Sequence, residues 1–325
     1  MGQLCFASVF LSISFVAVAQ PALVESPGLG YVWDARSSTV RAIRGIPGAS
    51  ILGDALDAGT PLASASISPL QDRALLVSSE DSLVRLLRFG SAPQVINGAD
   101  PAPSRIVFAP SGLAALLIGS RVQLASGLDG SPAVRSISVP ALDGAPAVAA
   151  LADDAQTMLF SSGSGVSAPV WVIAADGGTS RMPLPGTIAA AAFRRNSTDA
   201  VAATQSGDVY LIRNVGPSAD IRQIYTGDDA TSAPVAVQLA PDGSHAYVAN
   251  SRGSITSIDL GSGSSTAVSC QCQPSALEPL RSNAVFRLTE VSNRPLMLFD
   301  ASNSDIRTWF VPADAPPADA QRSGQ

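Results

Sequence analysis

Val235-Ala-Val-Gln-Leu-Ala-Pro-Asp-Gly-Ser-His-Ala-Tyr-Val-Ala-Asn-Ser-Arg-Gly-Ser-Ile-Thr-Ser-Ile-Asp-Leu-Gly-Ser-Gly-Ser-Ser-Thr-Ala-Val-Ser269 reads as strand, turn, strand, loop, strand, turn, strand. The tight connections are Pro241-Asp242-Gly243 and Gly261-Ser262-Gly263. Proline presets φ there, and glycine accepts the positive φ at which antiparallel strands reverse. Four short strands within about 40 residues form one blade of a β-propeller.

The first turn of that unit recurs along the chain, beginning at Ser68, Ala109, Ala152, Arg194, Ala240 and Glu278, at spacings of 41, 43, 42, 46 and 38 residues. Third strands follow in register at Val84–Leu87, Val170–Ile173, Val209–Ile212 and Leu296–Phe299, with a weaker one near Val122. No window sustains a 3.6-residue period with caps, so helix is expected to be scarce. Tyr31-Val32-Trp33-Asp34 and Thr39-Val40-Arg41-Ala42-Ile43 resemble the outer half of one more unit. The expectation is a single all-β propeller of four-stranded antiparallel blades, either seven with the last incomplete or six with the amino-terminal hairpin against an edge. Because open sheet edges invite unwanted pairing, the ring must close. The amino-terminal strands and the last blade, ending near Trp309-Phe310-Val311, are the place for it.

The ends have a different character. An uncharged run from Cys5 to Ala19 finishes in Ala17-Val18-Ala19 before Gln20, the small-x-small pattern of a cleaved secretory signal. The run falls below the roughly 18 to 20 apolar residues needed to cross a bilayer, although an uncleaved anchor is the alternative. Residues 1–19 are thus expected to be a signal peptide, residues 20–312 the propeller and residues 313–325 a disordered Pro/Ala/Asp tail. Location is expected to be secreted or periplasmic, with no membrane span in the mature chain.

The unit from Val235 to Ser269 resembles the repeats of the YVTN family of secreted or envelope β-propellers, through Ala240-Pro241-Asp242-Gly243, Ala246-Tyr247-Val248-Ala249-Asn250-Ser251 and Ile255-Thr256-Ser257-Ile258-Asp259. Other units share its outline: Phe108-Ala109-Pro110-Ser111-Gly112 keeps the first turn, and Tyr31-Val32-Trp33-Asp34 the third-strand ending. Trp33-Asp34 also mimics the WD40 dipeptide, but occurs once and without the Gly-His partner. The resemblance implies architecture and export. It implies no catalytic residues, because propellers of this appearance include both binding proteins and lactone-cleaving enzymes.

Composition narrows the chemistry. The chain carries 20 basic residues, every one arginine, and a net charge of −6. Nucleic acid is therefore not an expected partner, since phosphate affinity needs clustered positive charge. The missing lysine removes Schiff-base chemistry and the Walker lysine. His245 is the single histidine. It begins a strand after a tight turn and reads as structural. Cys270 and Cys272 flank Gln271. Residues i and i+2 of a strand lie about 6.5 to 7 Å apart, so a disulfide there needs a bend; buried thiols are the alternative. Asp153-Asp154 falls in a first turn and reads as structural, whereas Asp228-Asp229 lies in a blade-to-blade loop. Asn196-Ser197-Thr198 matches a glycosylation acceptor.

Connections between second and third strands all emerge on one face of a propeller. Here they carry Glu80 and Asp81, Arg121, Gln205 and Asp208, Asn250 and Arg252, and Glu290, Asn293 and Arg294. Solvated loops are polar by default, yet binding residues also concentrate there. These positions are the candidate binding face. The expected function is a non-enzymatic exported module that binds a protein or cell-envelope component through this face, without a cofactor. The alternative is a metal-dependent, lactonase-like hydrolase that holds an ion such as calcium with carboxylates and asparagines.

Overall fold

A computed structural model of the chain describes residues 28–314 apart from 120, 140–146, 162–167, 175–177, 229–231 and 282–283. The stretches read as signal peptide and as most of the tail lie outside the described residues. Within them stand seven antiparallel sheets in sequence order, one of three strands followed by six of four, and no helix. Blade 6 shows the plan: Pro234–Leu239 on the inside, then His245–Asn250, Ser254–Asp259 and outermost Ser265–Ser269.

Sequence dictates this stacking through the second strand of each blade. Arg73–Ser78 and Ala200–Thr204 are buried along their entire length, because a neighbouring sheet covers each face. Such strands lose the apolar-polar alternation of a half-exposed sheet and become continuous apolar runs. Alternation survives in the choice of neighbour. Ala74 and Leu76 pack toward blade 1 while Leu75 packs toward blade 3. Ala114 and Leu116 face blade 2 while Ala115 and Leu117 face blade 4. The core is consequently divided into seven layers, one between each pair of adjacent blades, the pair formed by blades 7 and 1 included. That last layer closes the ring.

Five of the six expected first turns begin directly after an inner strand. The sixth is displaced: Glu278 is itself in the inner strand Glu278–Pro279, and the turn starts at Leu280, whose N–H bonds Val285 O as Ala240 N–H bonds His245 O in blade 6. Proline suggested a turn, but Glu278 pairs across the sheet with Arg287 and prolongs the strand.

Blade 1, Gly28–Asp34, Thr39–Ile46 and Ala49–Ala55, is the incomplete unit and consists of outer strands. Its third strand supplies Leu52, and the outermost strand of blade 7 supplies Trp309, to the apolar layer between the two blades. Its first strand is left as a channel-side edge, and two neighbours cover it. The Tyr31 N–H donates to Oε1 of Gln71 at 2.6 Å, and Leu29 O accepts the Arg281 N–H at 2.7 Å. Gln71 belongs to the first turn of blade 2, and its Nε2 donates to Pro279 O of blade 7 at 2.8 Å. One buried amide thus joins three blades where the chain's two ends meet. Gly30 permits the approach: at φ +145° it has no Cβ, which would lie 2.6 Å from Gln71 Oε1. Further out, Asp314 makes a two-bond ion pair with Arg41 at 2.5 and 2.9 Å, so the chain is tied down to at least that residue.

Candidate functional site: the central channel and its crossover mouth

The inner strands of blades 2 to 7 converge on the ring axis and line a cavity of about 650 Å³, with Trp33 from blade 1 completing the wall. Crowding of strands at the axis favours small side chains, and the wall is built largely of them, among them Ala65, Ala149, Ala190, Ala192 and Ala236. The cavity has two mouths. One is ringed by first turns and carries Gln71, Arg195 and Arg281. The other is ringed by second-to-third connections together with the blade-to-blade crossovers that lead into the inner strands. The two kinds of loop interlock there, as where the Ala102 N–H donates to Ser82 O and Arg121 pairs with Asp100 at 2.9 Å.

At this crossover mouth Arg287 is buried and held between Glu278 (2.7 Å) and Glu290 (2.8 Å). Burial works against its charge, but the two carboxylates outweigh burial and raise its proton affinity. Arg105, the first residue of the inner strand Arg105–Phe108, is in a different position. Its Nη1 donates to Ala147 O of the next blade at 3.1 Å, and no described carboxylate lies within ion-pair distance. Desolvation lowers its proton affinity with nothing to offset it, although a guanidinium remains charged.

All ten expected face residues lie on or beside second-to-third connections, hence on the crossover face. Of them only Glu290 reaches the channel wall. Several are clamps within their own loops. Asn250 is fully buried, and its Oδ1 accepts the N–H groups of Arg252 (2.9 Å) and Ser254 (3.1 Å). Asp208 accepts from Ser206 Oγ, Gln223 Nε2 and the Gly227 N–H at 2.9 to 3.1 Å. Asp81 accepts the Leu83 N–H and pairs with Arg85, which together hold its carboxyl below the usual range. Glu80 meets Thr60 Oγ1 at 3.5 Å, and the Gln205 N–H bonds Thr187 O. Arg252, Asn293 and Arg294 are exposed on the rim.

The other candidates resolve into structural roles. Cys270 and Cys272 form a disulfide with Cα atoms 5.1 Å apart, and the chain bends there as such spacing requires. The bend rests on Gly253, where a Cβ would meet Cys272 O at 2.7 Å and Cys270 O at 3.0 Å. Asp153 accepts the Ser111 N–H (2.6 Å) and the Asn196 N–H (2.7 Å), joining the first turns of blades 3, 4 and 5. Asp154 caps its own turn through the Gln156 and Thr157 N–H groups. Asp228 accepts the Tyr225 hydroxyl at 2.6 Å, and Asp229 lies outside the described residues. His245 is outside the channel, its Nδ1 2.8 Å from Ser244 Oγ and its Nε2 3.6 Å from Asp259. Among the described residues no group of three His, Cys, Asp or Glu side chains is arranged to hold a metal ion, and no helix is long and apolar enough to cross a membrane.

Attention to loops missed Arg105, Glu278 and Arg287, because they belong to strand ends. A signal was present: Arg105 opens the otherwise apolar run Ile106-Val107-Phe108, an unusual place for a charge.

No described protein family and no curated protein matches the sequence. Among solved structures, a functionally unknown protein from Desulfotomaculum acetoxidans DSM 771 superposes with TM-score 0.58 at 14% identity, over 89% of this chain and 100% of that one. A catalytically inactive histidine-to-alanine variant of virginiamycin B lyase from Staphylococcus aureus with quinupristin superposes with TM-score 0.53 at 11% identity, over 85% and 92%. At such identities the likeness speaks to the fold alone.

Proposed function

We propose that the chain is an exported, YVTN-type propeller that acts as a binding module for a protein or cell-envelope component, which it takes on the crossover face. The observation that carries this reading is the crossover mouth itself: a cavity of about 650 Å³ opens there, within the range of ligand sites, and its rim combines charged side chains with an arginine that has no acid partner among the described residues. Loops locked by Asn250 and Asp208 present that rim on a rigid support, which lowers the ordering cost of binding. Residues 1–19 supply the export signal in this reading.

Capture from envelope extract tests the siting. The Arg121→Ala, Arg252→Ala, Arg294→Ala triple variant should lose the partner that the wild type retains, and undiminished capture refutes the assignment of this face. A thermal scan with chelator and then with calcium, magnesium, manganese or zinc separates binding from metal-assisted hydrolysis. A ligand of the native state at 100 times its Kd stabilises by about 2.7 kcal/mol. A midpoint raised by one metal, with turnover that the chelator removes, would replace the binding reading with the hydrolytic one.

A further inference from the structure

We propose that the channel receives a carboxylate-bearing ligand whose acid group docks on Arg105 while its apolar body lies along the alanine-rich inner strands. The inference deepens the reading of the crossover face as the binding face and rests on it.

Some arginines of the molecule are matched to acids, such as Arg41 to Asp314 and Arg73 to Asp129, whereas Arg88 and Arg281 bond main-chain carbonyls; Arg105 is of the second kind but stands at the crossover mouth of the channel. Arg105 lines the cavity, and among the described residues its hydrogen-bond partner is the carbonyl of Ala147 at 3.1 Å. That bond reaches across from blade 3 to blade 4 and uses one Nη of the guanidinium, and no other bond is made by it among the described residues. A planar fork of this kind matches a carboxylate through two parallel bonds.

At the crossover mouth the charged wall residues are Arg105 and Arg287 against Glu278 and Glu290. Both glutamates, Glu278 and Glu290, are engaged by Arg287 in blade 7, so neither neutralises Arg105 in blade 3. Beyond the guanidinium the wall offers small apolar side chains and Trp33, a surface for hydrocarbon.

The carboxylate could belong to a free organic acid or to a peptide end, and titration calorimetry distinguishes the two. One arm uses octanoate and 4-phenylbutyrate with their primary amides. The other uses acetyl-Ala-Leu-Ala with a free carboxylate and its amidated form. At least one acid should bind the wild type ten-fold or more tightly than its amide and change the Trp33 emission, with affinity falling as salt is added. Arg105→Gln should lose that preference, Arg105→Lys should keep part of it, and Arg195→Gln, at the opposite mouth, should leave it within three-fold. No acid binding at millimolar concentration, equal affinity for acid and amide, or an acid preference retained by Arg105→Gln overturns the proposal. The acid-against-amide comparison needs only wild-type protein, so the test stands even if a variant fails to fold. Partner capture lost from the rim triple variant but unaffected by Arg105→Gln, with no acid binding, would remove the channel site and leave the face reading intact.

Discussion

Truncating Gln71 should damage the ring more than a change in one surface turn ordinarily would. The side chain is 3% exposed and makes two bonds that close the ring, to the Tyr31 N–H and to Pro279 O, partners 40 and 208 residues away. Gln71→Ala leaves a donor and an acceptor unpaired at the half-buried first-turn mouth of the channel. Each such group costs about 1–3 kcal/mol, so the expected loss is about 2–5 kcal/mol. For a chain of this length about 2 °C accompanies each kcal/mol, which puts the melting midpoint about 4–10 °C lower. Gln71→Glu separates the two bonds: it keeps the acceptor for Tyr31 but sets a carboxylate oxygen against the Pro279 carbonyl, and should cost at least as much. Urea unfolding measures the loss, and hydrogen exchange locates it, with the Tyr31 amide losing protection first. A Gln71→Ala protein within about 0.5 kcal/mol of wild type, with Tyr31 still protected, would refute the clasp.

Other consequences are open to direct measurement. Asp153→Ala removes two charge-assisted bonds to the backbone of neighbouring blades and should cost about 2 kcal/mol in urea unfolding, clearly more than Asp154→Ala, whose bonds are local. Gly253→Ala places a Cβ against two carbonyl oxygens at φ +100°, so the bend at the disulfide must shift; a lower melting midpoint is expected, and an unchanged one contradicts the contact. Acid should destabilise the fold. The carboxyls of Asp242 and Asp259 are held below the usual range by their own turns, Asp314 by Arg41, and Asp72 by Arg73, which outweighs the opposing effect of burial. Groups of lowered pKa contribute stability that is complete above the unfolded value of about 4 and is lost as pH falls through the native value. The urea midpoint should therefore hold from pH 7 to 5 and fall below about pH 4, and a midpoint that rose on acidification would reverse the assignment.

Much of the architecture was legible because it is local. Turn residues and strands recur together in each unit, and the blade from Val235 to Ser269 folds as its pattern reads. Even the bend at Cys270–Cys272 followed from chain geometry once a bridge was entertained. What could not be read depends on closure of the ring. Gln71 sits in Ser68-Pro69-Leu70-Gln71-Asp72, a stretch of ordinary turn residues, and nothing nearby indicates a partner in Pro279. Glu278 seemed to begin a turn because its pairing with Arg287 lies on the far side of that turn. The candidate face was found as a set of loops, yet Asn250 and Asp208 spend their polar atoms on backbone groups of those loops, the usual competition between short polar side chains and the main chain. Arg105 escaped notice since a strand becomes a channel wall only when six others surround the same axis.

Among the described residues, no sheet takes strands from both ends of the chain: blade 1 is wholly amino-terminal and blade 7 wholly carboxy-terminal. Tension applied at the two ends would therefore meet no hydrogen-bonded ladder in shear. It would act first on isolated links, namely the pair of Arg41 with Asp314, the bonds of Gln71, the bond from the Arg281 N–H to Leu29 O, and the apolar layer between blades 7 and 1. A pulling experiment should show an early, low-force opening that lengthens the molecule by little, followed by blades that peel away one after another. If the ends were instead joined and the chain cut between blades 3 and 4, the weak link would move to the new cut.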